Sequence, residues 1–177
     1  PRGKNLVGAF YQPKFVLSDV QTLETLPRRE LTSGWAEAIK HGLILDKQLL
    51  DTFRLQIDPI RDLQPEIATQ VIRESVSIKA NIVSQDERET RGLRILLNYG
   101  HTIGHAIEAA TGYRVFLHGE AVSIGMMGAA RISQAMGLMC EKDVQLQKDV
   151  IQGFDLPFSY RDIDVDAVMD AMRSDKK

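Results

Sequence analysis

Cysteine is nearly absent from this chain. Cys140 is the only one, so no disulfide can close within it, and the composition fits a reducing, cytoplasmic setting. Tryptophan is as scarce, with Trp35 alone, and aromatic residues are only 6% of the whole. No apolar run approaches the ~20 residues that a membrane-spanning helix needs. Neither sign of charge dominates: 22 Lys and Arg against 24 Asp and Glu leave a net charge of −2. That gives no basic footprint for nucleic acid and none for an anionic membrane surface. Internal repeats, low-complexity tracts and heptad runs are also missing. The opening Pro1-Arg2-Gly3-Lys4 has neither an initiator methionine nor an apolar signal region. The chain is therefore expected to be cut from something longer.

What remains is the composition of a globular protein, with 44% apolar and 26% charged residues over 177 positions. That length suits one ordinary domain with a real core. Leu6-Val7-Gly8-Ala9-Phe10-Tyr11 and Lys14-Phe15-Val16-Leu17-Ser18 are short β-rich runs around Gln12-Pro13, a strand–turn–strand signal. A two-strand piece is marginal alone, so residues 1–27 read as the end of a sheet lying elsewhere. Asp19 is placed to cap a short helical turn through Leu23, punctuated by Pro27.

From Arg28 the pattern turns helical, so 28–177 reads as a mainly α, multi-helical domain. Leu31, Trp35, Ala38, Ile39, Gly42 and Leu43 mark a stripe of 3.6-residue period to about Leu45. Asp46 is an N-cap candidate for a helix through Ile57, with Asp58-Pro59 expected to break it. Pro65 suits the first position of a long helix carrying Ile67, Val71, Ile72, Val76, Lys79, Ala80 and Val83. Gln85 to Gly92 is a charged loop. One helix is expected from Leu93 to about Thr111, closed by Gly112, then a packed Ala/Gly/Met helix from Glu120 to Met136. Amphipathic helices from Glu141 to Ile151 and Asp164 to Met172 close the domain. Cys140, in Ala135-Met136-Gly137-Leu138-Met139-Cys140, is expected to be inert packing.

The chain holds four histidines, and two of them, His101 and His105, lie four residues apart among glycines. Residues at i and i+4 share a helical face, so both imidazoles can enter one cavity, or they can simply cap a core. His118-Gly119-Glu120 follows, and His41 sits in Trp35-Ala36-Glu37-Ala38-Ile39-Lys40-His41. Glu37 is beside Lys40 and His41 on one face. It is either half of a surface pair with Lys40 or, with His101 and His118, a two-histidine, one-carboxylate metal set. Three ligands and an open position make a catalytic rather than a structural site. Arg94, Asn98 and His101 would form one continuous helical face, with Lys79 on the preceding helix. A guanidinium, an amide and an imidazole together suit an anionic, hydroxylated ligand, unless Arg94 pairs with Glu87 or Glu89.

Gly3-Lys4-Asn5-Leu6-Val7-Gly8-Ala9-Phe10-Tyr11-Gln12-Pro13 resembles the 3-dehydroquinate synthase family. So do Gly34-Trp35-Ala36-Glu37 with Lys40 and Gly42, Lys79-Ala80 ahead of Asp86-Glu87, Arg94 through Glu108, and His118-Gly119-Glu120. The motifs follow the family's order and span nearly the whole chain. The resemblance implies an NAD- and metal-dependent lyase of the shikimate pathway, acting on 3-deoxy-D-arabino-heptulosonate 7-phosphate and homodimeric as the full-length protein. It implies Glu37, His101 and His118 as ligands of Zn²⁺ or Co²⁺, with His105 turned to substrate instead. It further implies Asn5, Lys40, Lys79, Arg94 and Asn98 on the substrate. Lys4 and Thr22-Leu23-Glu24-Thr25 would touch NAD, and Lys176 or Lys177 would open another basic segment. Metal binding would weaken in acid, because both ligating imidazoles must be neutral. The glycine-rich dinucleotide half is expected ahead of Pro1, so this polypeptide alone is expected to be inactive and to bind NAD poorly. Two other readings are a related sugar phosphate cyclase and a non-catalytic helical metal-binding domain; a more distant resemblance is to metal-dependent glycerol dehydrogenases.

Overall fold

A computed structural model describes residues 8–9 and 11–174. Among them the architecture is helical: a 3₁₀ turn at Val20–Thr25, then α1 (Arg28–Leu45), α2 (Lys47–Leu55), α3 (Ile57–Arg61) and α4 (Pro65–Gln85). A second 3₁₀ segment, Leu93–Asn98, leads into α5 (His101–Ala110), α6 (His118–Ala135), α7 (Glu141–Gly153) and α8 (Val165–Ser174). No described helix is long and apolar enough to cross a membrane.

Helix α1 is the hub, packing against α2, α4, α6 and α7. Its stripe behaves as the periodicity requires, burying Leu31, Trp35, Ala36, Ala38 and Ile39. Trp35, Phe53 and Phe154 meet edge to face around it, with ring centroids 5.4–6.4 Å apart, an arrangement that their quadrupoles favour. Asp46 caps α2 by accepting from the Gln48 and Leu49 amides at 2.8 and 3.0 Å. Pro65 opens α4, where its missing N–H leaves no helical bond unmade.

Four details differ from the sequence reading. The break after α2 falls at Gln56, and Pro59 lies inside the first turn of α3, the one place where a helix tolerates proline without losing a hydrogen bond. Lys14–Ser18 forms no strand, since a strand needs a ladder partner and none exists among the described residues; Leu6, Val7 and Phe10 lie outside them. Cys140 is exposed rather than packed, its Sγ 3.1 Å from Asp143 Oδ2. Helix α6 starts at His118, two residues before Glu120.

The largest correction concerns the histidine helix, which is not continuous from Leu93. The chain turns at Gly100, in the left-handed region with φ +79°. A Cβ there would lie 2.6 Å from Met126 Cγ and 2.7 Å from its amide, so only glycine lets α6 come this close. Helices α5 and α6 then run antiparallel. A Cβ on Gly125 would stand 2.0 Å from the Gly100 carbonyl oxygen, and one on Gly104 would stand 3.1 Å from Val122. That register carries on to bring Glu108 against His118.

Candidate active site

Two helix termini and one helix middle supply the site. Glu37 sits in the middle of α1, His101 is the first residue of α5 and His118 the first of α6. His101 Nε2 is 3.3 Å and His118 Nε2 3.8 Å from the same atom, Glu37 Oε1. Each ring is held from behind. His101 Nδ1 is 3.2 Å from the Tyr99 carbonyl, and a carbonyl can only accept; Nδ1 therefore carries the proton and Nε2 presents its lone pair. His118 Nδ1 lies 3.3 Å from Glu108 Oε2, which orients that ring the same way. Tyr99 is itself fixed, its hydroxyl donating to Gln147 Oε1 at 2.8 Å with the Met126 carbonyl as an alternative acceptor at 3.2 Å.

Glu37 Oε1 is closed off from solvent and accepts no well-formed hydrogen bond. A buried carboxylate oxygen without a partner is costly. Two imidazole lone pairs directed at it add repulsion unless positive charge lies between them. The donor set, two imidazoles and a carboxylate, suits a zinc-like divalent cation. These residues fit such an ion.

The other carboxylate oxygen, Oε2, receives Lys40 Nζ at 2.7 Å. Lys40 is only 1% exposed, so this is no surface pair. Burial pushes the Glu37 carboxyl upward, but a hydrogen bond from His101, available when its Nε2 carries a proton, and the Lys40 ammonium outweigh it and hold the group far below the usual carboxylate range. Burial lowers the Lys40 pKa, opposed by Glu37 and reinforced by the charge of Lys79. His41 points elsewhere: it is buried, with Nδ1 2.8 Å from Ser75 Oγ on α4. Burial, helped by the Lys40 charge, pushes its pKa down to about 4.

His105 joins the group, its ring centroid 5.3 Å from that of His101 and 5.8 Å from that of His118. One ligand atom from each of the three histidines lies within 4.8 Å of the others, so His105 is a geometric candidate alongside Glu37. Arg94 turns away onto the charged loop, pairing with Glu89 at 2.9 Å and donating to the Glu87 carbonyl at 3.3 Å. Because the helix breaks at Gly100, Arg94 and Asn98 do not share a continuous face with His101. The loop ahead of Arg94 is set by buried Asp86, which accepts from the Arg91 and Leu93 amides at 2.9 Å and the Arg94 amide at 3.4 Å. These bonds hold the Asp86 carboxyl below its ordinary pKa.

Thr22 and Leu23 line a cavity of about 550 Å³ together with Trp35 and Glu37. Glu24 lines a neighbouring cavity with Pro65 and Thr69. Thr25 donates to the Thr22 carbonyl at 3.3 Å. Lys4, Asn5, Lys176 and Lys177 lie outside the described residues.

Sequence reasoning missed the parts that aim the ligands. Glu120 accepts the Leu117 amide at 2.8 Å and a two-pronged bond from Arg29, fixing the turn that bears His118. An acid three residues into a helix is the capping signal that could have found it. Gly119 donates its amide to Ser33 Oγ at 3.0 Å, docking that turn on α1 one helical turn before Glu37. Glu108, an acid in an otherwise apolar stretch, was the signal for the carboxylate behind His118.

A family model described as 3-dehydroquinate synthase C-terminal matches residues 34–177, and one described as 3-dehydroquinate synthase N-terminal matches residues 1–33. A 3-dehydroquinate synthase of Synechococcus sp. is 48% identical over all of this chain and 49% of its own length. That of Geobacter metallireducens is 45% identical, with the same coverage. The chain thus spans about half the length of the curated relatives it matches. Among solved structures, a 2-epi-5-epi-valiolone synthase from Streptomyces hygroscopicus with NAD⁺ and Zn²⁺ bound superposes with a TM-score of 0.80. It is 29% identical and covers 88% of this chain and 43% of its own. A 2-deoxy-scyllo-inosose synthase complexed with carbaglucose-6-phosphate, NAD⁺ and Co²⁺ gives 0.79 at 34% identity, covering 98% and 47%. The chain belongs to the 3-dehydroquinate synthase family.

Proposed function

We propose that this chain is the metal- and substrate-binding part of an enzyme converting 3-deoxy-D-arabino-heptulosonate 7-phosphate to 3-dehydroquinate and phosphate. Glu37, His101 and His118 hold a Zn²⁺ or Co²⁺ ion, and His105 serves the substrate. The observation that carries this reading is the convergence of two imidazole Nε2 atoms on the unpartnered Glu37 Oε1. NAD is held mostly by residues outside 28–177, with the Val20–Thr25 turn, and Lys4 before it, as this chain's own contribution.

When bound, the cation supplies Lewis acidity at substrate hydroxyls and NAD supplies a transient hydride acceptor. The chain's residues do the rest. Lys40 holds Glu37 in place through one N–H and has two more to offer substrate oxygens, its own side chain being buried. Lys79 adds a second positive charge beside Lys40. Arg94 takes the substrate carboxylate by exchanging it for Glu89; an exposed ion pair of that kind is worth ~1 kcal/mol or less, so the exchange is easy. Asn98 and Asn5 serve as further polar contacts to the substrate, as the family resemblance assigns them. His105 exchanges a proton with substrate oxygen or phosphate.

A second reading has a specific basis, since the neighbouring solved structures are other sugar phosphate cyclases. Lys79 and Arg94 favour a substrate bearing a carboxylate. The test is turnover by the full-length protein. The heptulosonate phosphate should be consumed with phosphate release, and carboxylate-free sugar phosphates should not. The reverse preference would overturn the assignment.

A further inference from the structure

The two rings facing Glu37 are held in unequal ways. His101 is enclosed, its side chain 12% exposed, and a backbone carbonyl suffices to set its tautomer. His118 is 41% exposed at the side chain and stands at the start of α6, where no preceding helical turn limits its rotamer. Its Nδ1 meets a carboxylate that is itself buried: Glu108 is 5% exposed. Glu108 comes from the last turn of α5, and it reaches His118 only because Gly104 and Gly125 let α5 and α6 touch.

We propose that Glu108 is a positioning residue for the metal centre, resting on the metal reading above. A carboxylate accepts but does not donate, so Glu108 selects the Nδ1–H tautomer of His118 and leaves Nε2 as the ligand atom directed at Glu37 Oε1. Partners of this type alter metal affinity by roughly 10–100-fold when removed.

The test is Zn²⁺ affinity of the full-length protein, by competition with a chromogenic chelator, for wild type, Glu108→Ala, Glu108→Gln and His101→Ala. Glu108→Ala should bind Zn²⁺ ~10–100-fold more weakly. Glu108→Gln should lose less, because the amide oxygen still accepts from Nδ1–H. Ring ¹⁵N shifts of the metal-free protein should show His118 as the Nδ1–H tautomer in wild type and shifted toward Nε2–H in Glu108→Ala. A purely structural glutamate would not move that readout. Should Glu108→Ala fail to fold, Glu108→Gln and its ¹⁵N shifts carry the same test. Zn²⁺ affinity within twofold of wild type and an unchanged tautomer, while His101→Ala loses the metal, would overturn the proposal. If His101→Ala also binds like wild type, the metal reading itself fails and takes this proposal with it.

Discussion

Arg29 and Glu120 form a two-pronged ion pair, Nε to Oε1 and Nη2 to Oε2, both at 2.7 Å. It spans 91 residues of sequence and joins the first turn of α1 to the first turn of α6. Glu120 Oε2 also accepts the Leu117 amide at 2.8 Å, so one side chain caps α6 and anchors the turn that presents His118. Glu120→Ala should therefore destabilise the fold by ~1–3 kcal/mol, the range for a lost cap that also leaves a shielded N–H unpaired. Arg29→Ala should have a smaller effect, because its guanidinium is largely solvated. The double variant should be less harmful than the sum of the two. Urea unfolding of all three against wild type checks this. Strict additivity would mean that the pair is not coupled.

His41 makes stability pH-dependent in a specific window. Its ring is 4% exposed and its pKa falls from 6.5 in the unfolded chain to about 4 in the fold. Above the unfolded value the ring is neutral in both states, and its contribution is fully present. As pH drops, the unfolded chain takes up the proton and the folded chain does not. Stability is lost progressively and the loss is complete once pH passes below the folded value. The difference is of order 2–3 kcal/mol. His41→Gln should flatten the unfolding free energy between pH 7 and 4 by about that amount relative to wild type. Parallel curves for the two proteins would refute it.

Removing the Glu37 charge should abolish the cation site without unfolding the protein. Glu37→Gln keeps the size and leaves an amide beside Lys40, but it offers only a neutral oxygen to the ion. Zn²⁺ or Co²⁺ affinity should drop by more than ~100-fold, beyond what loss of an outer partner produces. The melting temperature of the metal-free variant should fall, since the buried Lys40 ammonium loses its carboxylate partner. Metal content measured by mass spectrometry after dialysis, alongside a thermal melt, separates the two effects. Retention of a full equivalent of metal would rule Glu37 out as a ligand.

How much of this was readable beforehand depended on how local the cause was. The α1 stripe, the Asp46 cap and Pro65 at the head of α4 are set by neighbouring residues, and the structure has each of them where the pattern puts it. The three histidines and Glu37 were found from residue type and motif, and they do lie together. The break at Gly100 was not visible, because it follows from how closely α6 approaches, a tertiary fact. With it went the single face of Arg94, Asn98 and His101. Glu108 and Arg29 escaped for the same reason, since their partners lie 10 and 91 residues away.

Gly119 joins fold and site at one atom. A Cβ there would stand 1.9 Å from the Ser33 carbonyl oxygen and 2.8 Å from Ser33 Oγ, distances at which no flexible side-chain end can yield, because the nearer atom is backbone. Gly119→Ala must push the first turn of α6 off α1. Glu37 lies four residues beyond Ser33 and His118 one residue before Gly119, so the 3.8 Å between Glu37 Oε1 and His118 Nε2 opens with it. The Gly119 amide would also lose Ser33 Oγ as its acceptor. Overpacking of this kind costs ~1–3 kcal/mol or more, so the melting temperature should drop by several degrees. Zn²⁺ affinity should fall by at least tenfold. Ser33→Ala separates the causes: it removes the hydrogen bond without the clash, and should destabilise mildly while leaving Zn²⁺ affinity close to wild type. Gly119→Ala binding Zn²⁺ as tightly as wild type would mean that α1 and α6 can part without disturbing the pair of side chains between them.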